Sequence, residues 1–195
     1  ANGNSQWITG EAARTDVHRL RARSCAILTG INTVKHDDPE LSVRHVQTTR
    51  QPLRVILDNR LEISANAKIL QKAGVLIFTT LQDSTKIQSL TERGVQVVVL
   101  PNATGKLDLA EVMSKLAEFE INEILVEAGS TLSGSLVESQ LVDKIIIYCA
   151  PIFLGNSAQS MLHLPELRSL SQKWKLEITE IGKVGCDIKI TAKLI

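Results

Sequence analysis

Two stretches of this sequence carry residue types that could do chemistry. The first runs Ile124-Leu125-Val126-Glu127-Ala128-Gly129-Ser130-Thr131-Leu132-Ser133-Gly134-Ser135. It reads as strand, glycine turn and helix start. Free N–H groups at a helix start, with the hydroxyls of Ser130, Thr131 and Ser133, suit a phosphate. Gly129 would let a ligand approach the backbone. A plain strand-to-helix turn with hydroxyl caps has the same pattern. Neither GxGxxG nor a P-loop lysine is present, so no Rossmann fingerprint or Walker site is indicated. Glu127 ends the strand, where open α/β sheets bind ligands; a surface glutamate is the alternative.

The second stretch is basic. Arg14, His18 and Arg21 are spaced i, i+4, i+7 and share a helix face, and Arg44 follows in the next loop. Together they would hold a phosphate ester through charge-assisted hydrogen bonds, or they form a solvated face. Thr33 to Leu41 contains His36, Asp37 and Asp38. The carboxylates are adjacent and lack a spaced His or Cys partner, so the stretch reads as a polar loop entering the Pro39 turn rather than as a metal site.

These residues need elements to position them. Short, continuously apolar runs read as strands buried on both faces, as in a mostly parallel sheet: Cys25–Thr29, Leu53–Asp58, Val75–Thr80, Gln96–Leu100, Glu123–Glu127 and Lys144–Cys149. Helical patterns lie between them. Gly10 to Arg23 is one, with Thr9 as its N-cap. Ser84 to Arg93 is another, closed by Gly94. Asp108 to Glu111 has capping-box spacing ahead of the apolar stripe Leu109, Val112, Leu116. Thr131 to Ser139 is the fourth. After Trp174 the period drops to two, with Gly182 to Gly185 between alternating runs, so an antiparallel hairpin is expected at one edge of the sheet. The expected fold is one α/β domain with a mixed, mostly parallel sheet flanked by helices.

Composition sets the outer limits. At 195 residues, with 44% hydrophobic and 22% charged residues, the chain is one globular domain rather than a disordered segment. A net charge of +1 disfavours a nucleic-acid binder. The longest apolar run, Ile145 to Leu154, falls well short of the roughly 20 residues of a membrane span. Cys25, Cys149 and Cys186 are odd in number and widely spaced, so no disulfide framework or thiolate zinc site is expected and the cytoplasm is the expected compartment.

Several motifs occur in a recognisable order: Ser5-Gln6-Trp7-Ile8-Thr9-Gly10, Ala13-Arg14-x-Asp16, Leu20-Arg21-Ala22, Ala26-Ile27-Leu28-Thr29-Gly30, Asp37-Asp38-Pro39-x-Leu41, Val43-Arg44, Gln51-Pro52-Leu53-Arg54, Val126-Glu127-Ala128-Gly129, Leu141-Val142-Asp143 and Ala150-Pro151. With them the chain resembles the reductase domain of the bacterial bifunctional riboflavin-biosynthesis protein, over nearly its whole length. The resemblance implies a dihydrofolate-reductase-like fold, NADPH as hydride donor and a homodimer. It also implies an opening strand ahead of Ala1 and an N-terminal zinc deaminase domain. This chain carries neither H-x-E nor P-C-x-x-C, so deamination is not expected of it.

The resemblance places Ser5, Arg21, Leu41, Arg44 and Glu127 at the substrate. It places Trp7, Thr33, Asp37, Asn59, Gly129, Ser130, Thr131, Leu132, Ser133, Gly134 and Ser135 at NADPH, and no metal is implied. The implied reaction reduces 5-amino-6-(5-phosphoribosylamino)uracil to the ribitylamino product, with Glu127 orienting the substrate or assisting proton movement. Arg21 and Arg44 become a ribose-phosphate clamp, and Asn59 and Arg60 an adenosine 2′-phosphate site. Two alternatives are a pterin or folate reductase, whose substrate would leave that clamp without a job, and a non-catalytic nucleotide- or partner-binding module.

Overall fold

The computed structural model describes residues 7–156, 158–166 and 168–195. Ser5 lies outside the described residues. All six apolar runs form strands: β1 (Ala26–Gly30), β2 (Leu53–Leu57), β3 (Val75–Thr79), β4 (Gln96–Val99), β5 (Ile124–Val126) and β6 (Ile145–Cys149). The first five make one parallel sheet in the order β4-β3-β2-β1-β5. Their continuous apolarity has the expected cause, since the sheet is covered on both faces. On one face Ile27, Ile56 and Ile77 pack with Val34, Ile69 and Leu90. On the other, Leu28, Val55, Leu76 and Phe78 pack with Val112, Leu116 and Leu136.

The helices are α1 (Glu11–Arg23), α2 (Ile31–Asp37), α3 (Ser84–Thr91), α4 (Leu109–Glu118) and α5 (Ser130–Glu138). The Asp108 carboxylate caps α4 by accepting the N–H groups of Ala110 and Glu111. Asp83 caps α3, and Gly94 turns the chain out of it at φ +79°, a conformation glycine adopts without strain.

Three expectations are corrected. The N-cap of α1 is Gly10, not Thr9, and its N–H donates to the Asp187 carboxylate at 2.7 Å. A cap supplied from the far end of the chain leaves no local signal. Residues 33–37 are not a loop but most of α2. That helix springs directly from β1 and buries Val34 while its polar residues face outward. Finally, the hairpin of β7 (Leu176–Val184) and β8 (Asp187–Leu194) does not extend the parallel sheet. It pairs with β6 in a separate antiparallel sheet, ordered β6-β8-β7. Gly182 continues β7, because the positive φ required by the turn falls at Gly185, at +63°.

The small sheet has an inverted pattern. Its face toward α1 is polar: the Tyr148 hydroxyl and the Lys189 ammonium each donate to the Asp16 carboxylate at 2.7 Å. Its other face carries Ile178, Ile181 and Ile188, all exposed. A bulge between Ile178 and Glu180 keeps Ile178 and Ile181 on that same face, opposite Ala192 and Ile190.

Asp108→Ala removes the only side-chain cap of α4, a helix that buries Val112 and Leu116. The expected cost is about 1 kcal/mol in urea unfolding followed by circular dichroism, without a change of fold.

Candidate active site

Parallel strands deliver their following loops to one edge of the sheet. In this order β1 lies between β2 and β5, so α2, Asn59 and the Glu127–Gly129 turn share an edge. At its centre is an ion pair. Nε and Nη2 of Arg21, in the last turn of α1, donate to the two carboxylate oxygens of Glu127 at 2.6 and 2.7 Å. Nη1 donates to the Ser42 carbonyl at 3.0 Å. Three of the five guanidinium N–H groups are therefore committed inside the protein. Both side chains are largely covered, at 11% and 23% exposure.

Beside this pair α5 begins. Its N-cap is Gly129, and no side chain caps it. The N–H groups of Ser130, Thr131 and Leu132 therefore lack helical partners, while the Gly129 N–H donates to the Thr33 hydroxyl of α2 at 3.1 Å. A Cβ on Gly129 would find nothing closer than that hydroxyl, at 3.8 Å. Space here is open, as a ligand cradle requires. Gly134 differs. A Cβ there would lie 2.0 Å from the His163 carbonyl oxygen, and the His163 N–H donates to the Ser130 carbonyl. Gly134 is thus the point where the chain crosses α5.

The basic face is dispersed. The Arg14 guanidinium stacks over the exposed Trp7 ring at 4.6 Å and donates to the Thr9 carbonyl. His18 is buried, and its Nδ1 accepts the Arg44 N–H at 3.2 Å. That nitrogen therefore carries no proton. Burial, then the charges of Arg21, His45 and Arg44, push the imidazole down to about 4. Arg21 is taken by Glu127. Of the expected clamp, only the Arg44 guanidinium is largely exposed, 4.0 Å from Glu40.

The remaining residues divide. Leu41 is buried and Asp37 exposed. Asp38 turns away to Lys68, accepting its N–H. The side-chain oxygen of Asn59 is occupied by the Leu107 N–H at 2.9 Å, leaving its NH2 for a ligand. Ser133 donates to the Ala128 carbonyl. Gln51 was not expected at the site, yet it binds the backbone of Val43. Its motif, Gln51-Pro52-Leu53-Arg54, belongs to the family resemblance, but no local pattern gives Gln51 this bonding role.

A cleft of about 980 Å³ separates β5 from β6 and opens beside Glu127, with Ile124, Val126, Ile146 and Tyr148 among its walls. The Glu127 N–H bonds the Leu28 carbonyl, and the Ala26 N–H bonds the Glu123 carbonyl. Alternation along β5 therefore points the backbone groups of Ile124 and Val126 into the cleft. Among the described residues no helix is long and apolar enough to cross a membrane, and no three His, Cys, Asp or Glu side chains cluster as metal ligands.

Comparison with known proteins gives this arrangement a family. Residues 1–190 match the RibD C-terminal domain, and the chain belongs to that family. It is 38% identical to the riboflavin biosynthesis protein RibD of Escherichia coli, over 96% of this chain and 54% of that protein. The chain thus spans about half the length of that relative. It is 31% identical to a 5-amino-6-(5-phosphoribosylamino)uracil reductase of Buchnera aphidicola, over 97% of this chain and 96% of that protein. Among solved structures, RibD of Acinetobacter baumannii superposes with a TM-score of 0.85 at 34% identity, covering 100% of this chain and 53% of that one.

Two outcomes follow from the geometry. Arg21→Lys offers one point charge where a planar fork is needed, so it should cost about 1–3 kcal/mol in urea unfolding and should not restore the pair. His18 is held neutral in the fold but binds a proton near 6.5 when unfolded, so stability is full above 6.5 and falls as pH drops toward 4. His18→Asn should flatten that part of the melting-temperature profile relative to wild type.

Proposed function

We propose that this chain catalyses reduction of 5-amino-6-(5-phosphoribosylamino)uracil to its ribitylamino product, with NADPH, in riboflavin biosynthesis. The observation that carries the reading is the Arg21-held Glu127 carboxylate standing directly beside the uncapped start of α5. A phosphate-bearing cofactor and a polar substrate would meet at that point.

A nicotinamide dinucleotide bound at this edge supplies the hydride. The free N–H groups of Ser130, Thr131 and Leu132, with the nearby hydroxyls, hold its phosphates. Trp7, Thr33 and Asp37 complete the cofactor contacts. The NH2 of Asn59 and the Arg60 guanidinium would hold a 2′-phosphate, which would favour NADPH over NADH. The substrate's sugar opens to an imine-like form, and C1′ accepts the hydride while the nitrogen takes a proton. Arg44 binds the 5-phosphate, and the resemblance adds Ser5 and Leu41 to the substrate contacts. Both oxygens of Glu127 are engaged by Arg21, so its role is to orient the substrate rather than to be a free base. Arg21 contributes its two remaining N–H groups.

The opening strand implied by the resemblance fits the cleft between β5 and β6, where the backbone groups of Ile124 and Val126 stand ready for a partner. In the longer protein a deaminase domain would precede it. The exposed Ile178–Ile181–Ile188 face suits a second copy of the chain, which gives a homodimer. The three free cysteines agree with a reducing, cytoplasmic setting.

The test is substrate-dependent loss of reduced-nicotinamide absorbance; no loss overturns the reading. Gly129→Val should weaken NADPH binding at least tenfold with an unchanged melting temperature, because the fold has room for it. Gly134→Val should instead lower the melting temperature, because it meets the His163 backbone. Ile181→Lys should convert a dimer to a monomer in light scattering, without altering the circular dichroism spectrum.

A further inference from the structure

The segment from Leu41 to Arg44 belongs to no helix or strand, yet Leu41, Ser42 and Val43 are buried. Buried backbone groups need partners. Here side chains supply them. The Ser42 carbonyl accepts from Arg21 at 3.0 Å. The Val43 N–H donates to Oε1 of Gln51 at 2.8 Å, and the Val43 carbonyl accepts from Nε2 of the same residue at 3.1 Å. The Gln51 carboxamide thus does for Val43 what a neighbouring strand would do. The Arg44 N–H donates to Nδ1 of His18, and the edge of His45 packs against the His18 ring, centroids 4.7 Å apart.

We infer that His18 and Gln51 are positioning residues, which fix the backbone of Val43 and Arg44 so that the Arg44 guanidinium meets the substrate's phosphorylated sugar. This rests on the reading of Arg44 as a substrate contact. The Gln51 carboxamide and the His18 Nδ1 are spent on this backbone. They act by removing backbone freedom that would otherwise be lost on binding. The geometry also explains why the imidazole is neutral: only an unprotonated Nδ1 can accept the Arg44 N–H.

The experiment compares His18→Leu, His18→Asn and Gln51→Ala with wild type and Arg44→Ala in the full chain. Two readouts are taken: steady-state KM for each substrate, and hydrogen exchange of the Val43 and Arg44 amides without ligand. His18→Leu should speed exchange at Arg44 and Gln51→Ala at Val43, each about tenfold. Both should raise KM for the ribosylaminouracil about tenfold, with KM for NADPH unmoved. His18→Asn, whose Oδ1 stands near the place of Nδ1, should recover most of both effects. Unchanged amide exchange overturns the inference. So does faster exchange with unmoved substrate KM, or an equal rise in both KM values. A wild-type chain that turns over no substrate overturns the functional reading and this inference with it. Normal turnover whose KM is insensitive to Arg44→Ala overturns the assignment of Arg44 specifically.

Discussion

The Arg21 guanidinium joins three segments that no secondary structure connects: the end of α1, the end of β5 and the loop after α2. Its planar fork matches both oxygens of Glu127, a geometry an ammonium cannot reproduce. Desolvating such a pair is costly unless the remaining donors are also satisfied, and the Ser42 carbonyl takes one of them. The pair is strong because it is complete, and completeness requires α1, β5 and the loop to be in register at once. α1 depends on polar fixings along its whole length. It buries only Ala13, His18 and Leu20. Its first turn is held by Asp187, its middle by Tyr148 and Lys189 through Asp16, and its end by Glu127. A helix held by directional bonds has one position, whereas an apolar stripe tolerates sliding.

The helix starts follow a division of labour. α3 and α4 begin with aspartates whose carboxylates satisfy their first N–H groups. α2 and α5, which flank the site, begin with glycines and have no side-chain cap. A glycine there gives up a few tenths of a kcal/mol against Ser, Thr or Asp, so stability alone would favour those residues. The uncapped pair converges where Thr33 of α2 meets Gly129 of α5. Two helix starts then offer positive ends to one place.

The strands were legible because burial on both faces leaves an unbroken apolar run, and all six runs formed strands. Asp108 and Gly94 were legible because caps act over three or four residues. What the sequence hid were long-range effects. α2 has too few apolar residues to show a helical period; its position directly after β1 makes it a helix. The spacing of Arg14, His18 and Arg21 correctly placed them on one face of α1. It could not show that one would stack on Trp7, one accept a backbone N–H and one pair with Glu127. Glycines posed the same problem: Gly129 and Gly134 stand five residues apart, one facing open space and the other a carbonyl, and only the fold separates them.

The loop after α2 shows how a protein builds precision where no ladder reaches. Asp38 and Leu41 adopt φ of +41° and +48°, the left-handed region that costs a branched or carboxylate side chain about 1–2 kcal/mol. Such backbone persists only where its surroundings over-determine it. Here Lys68 holds Asp38, while Arg21, Gln51 and His18 hold Ser42, Val43 and Arg44 in turn. A β-strand in this place would alternate its side chains between faces and turn Ser42 away from Leu41 and Val43. Here Leu41, Ser42 and Val43 are buried one after another, and only then does the Arg44 guanidinium reach water. The unusual backbone is thus the means by which the Arg44 cation is presented from a segment that is otherwise core.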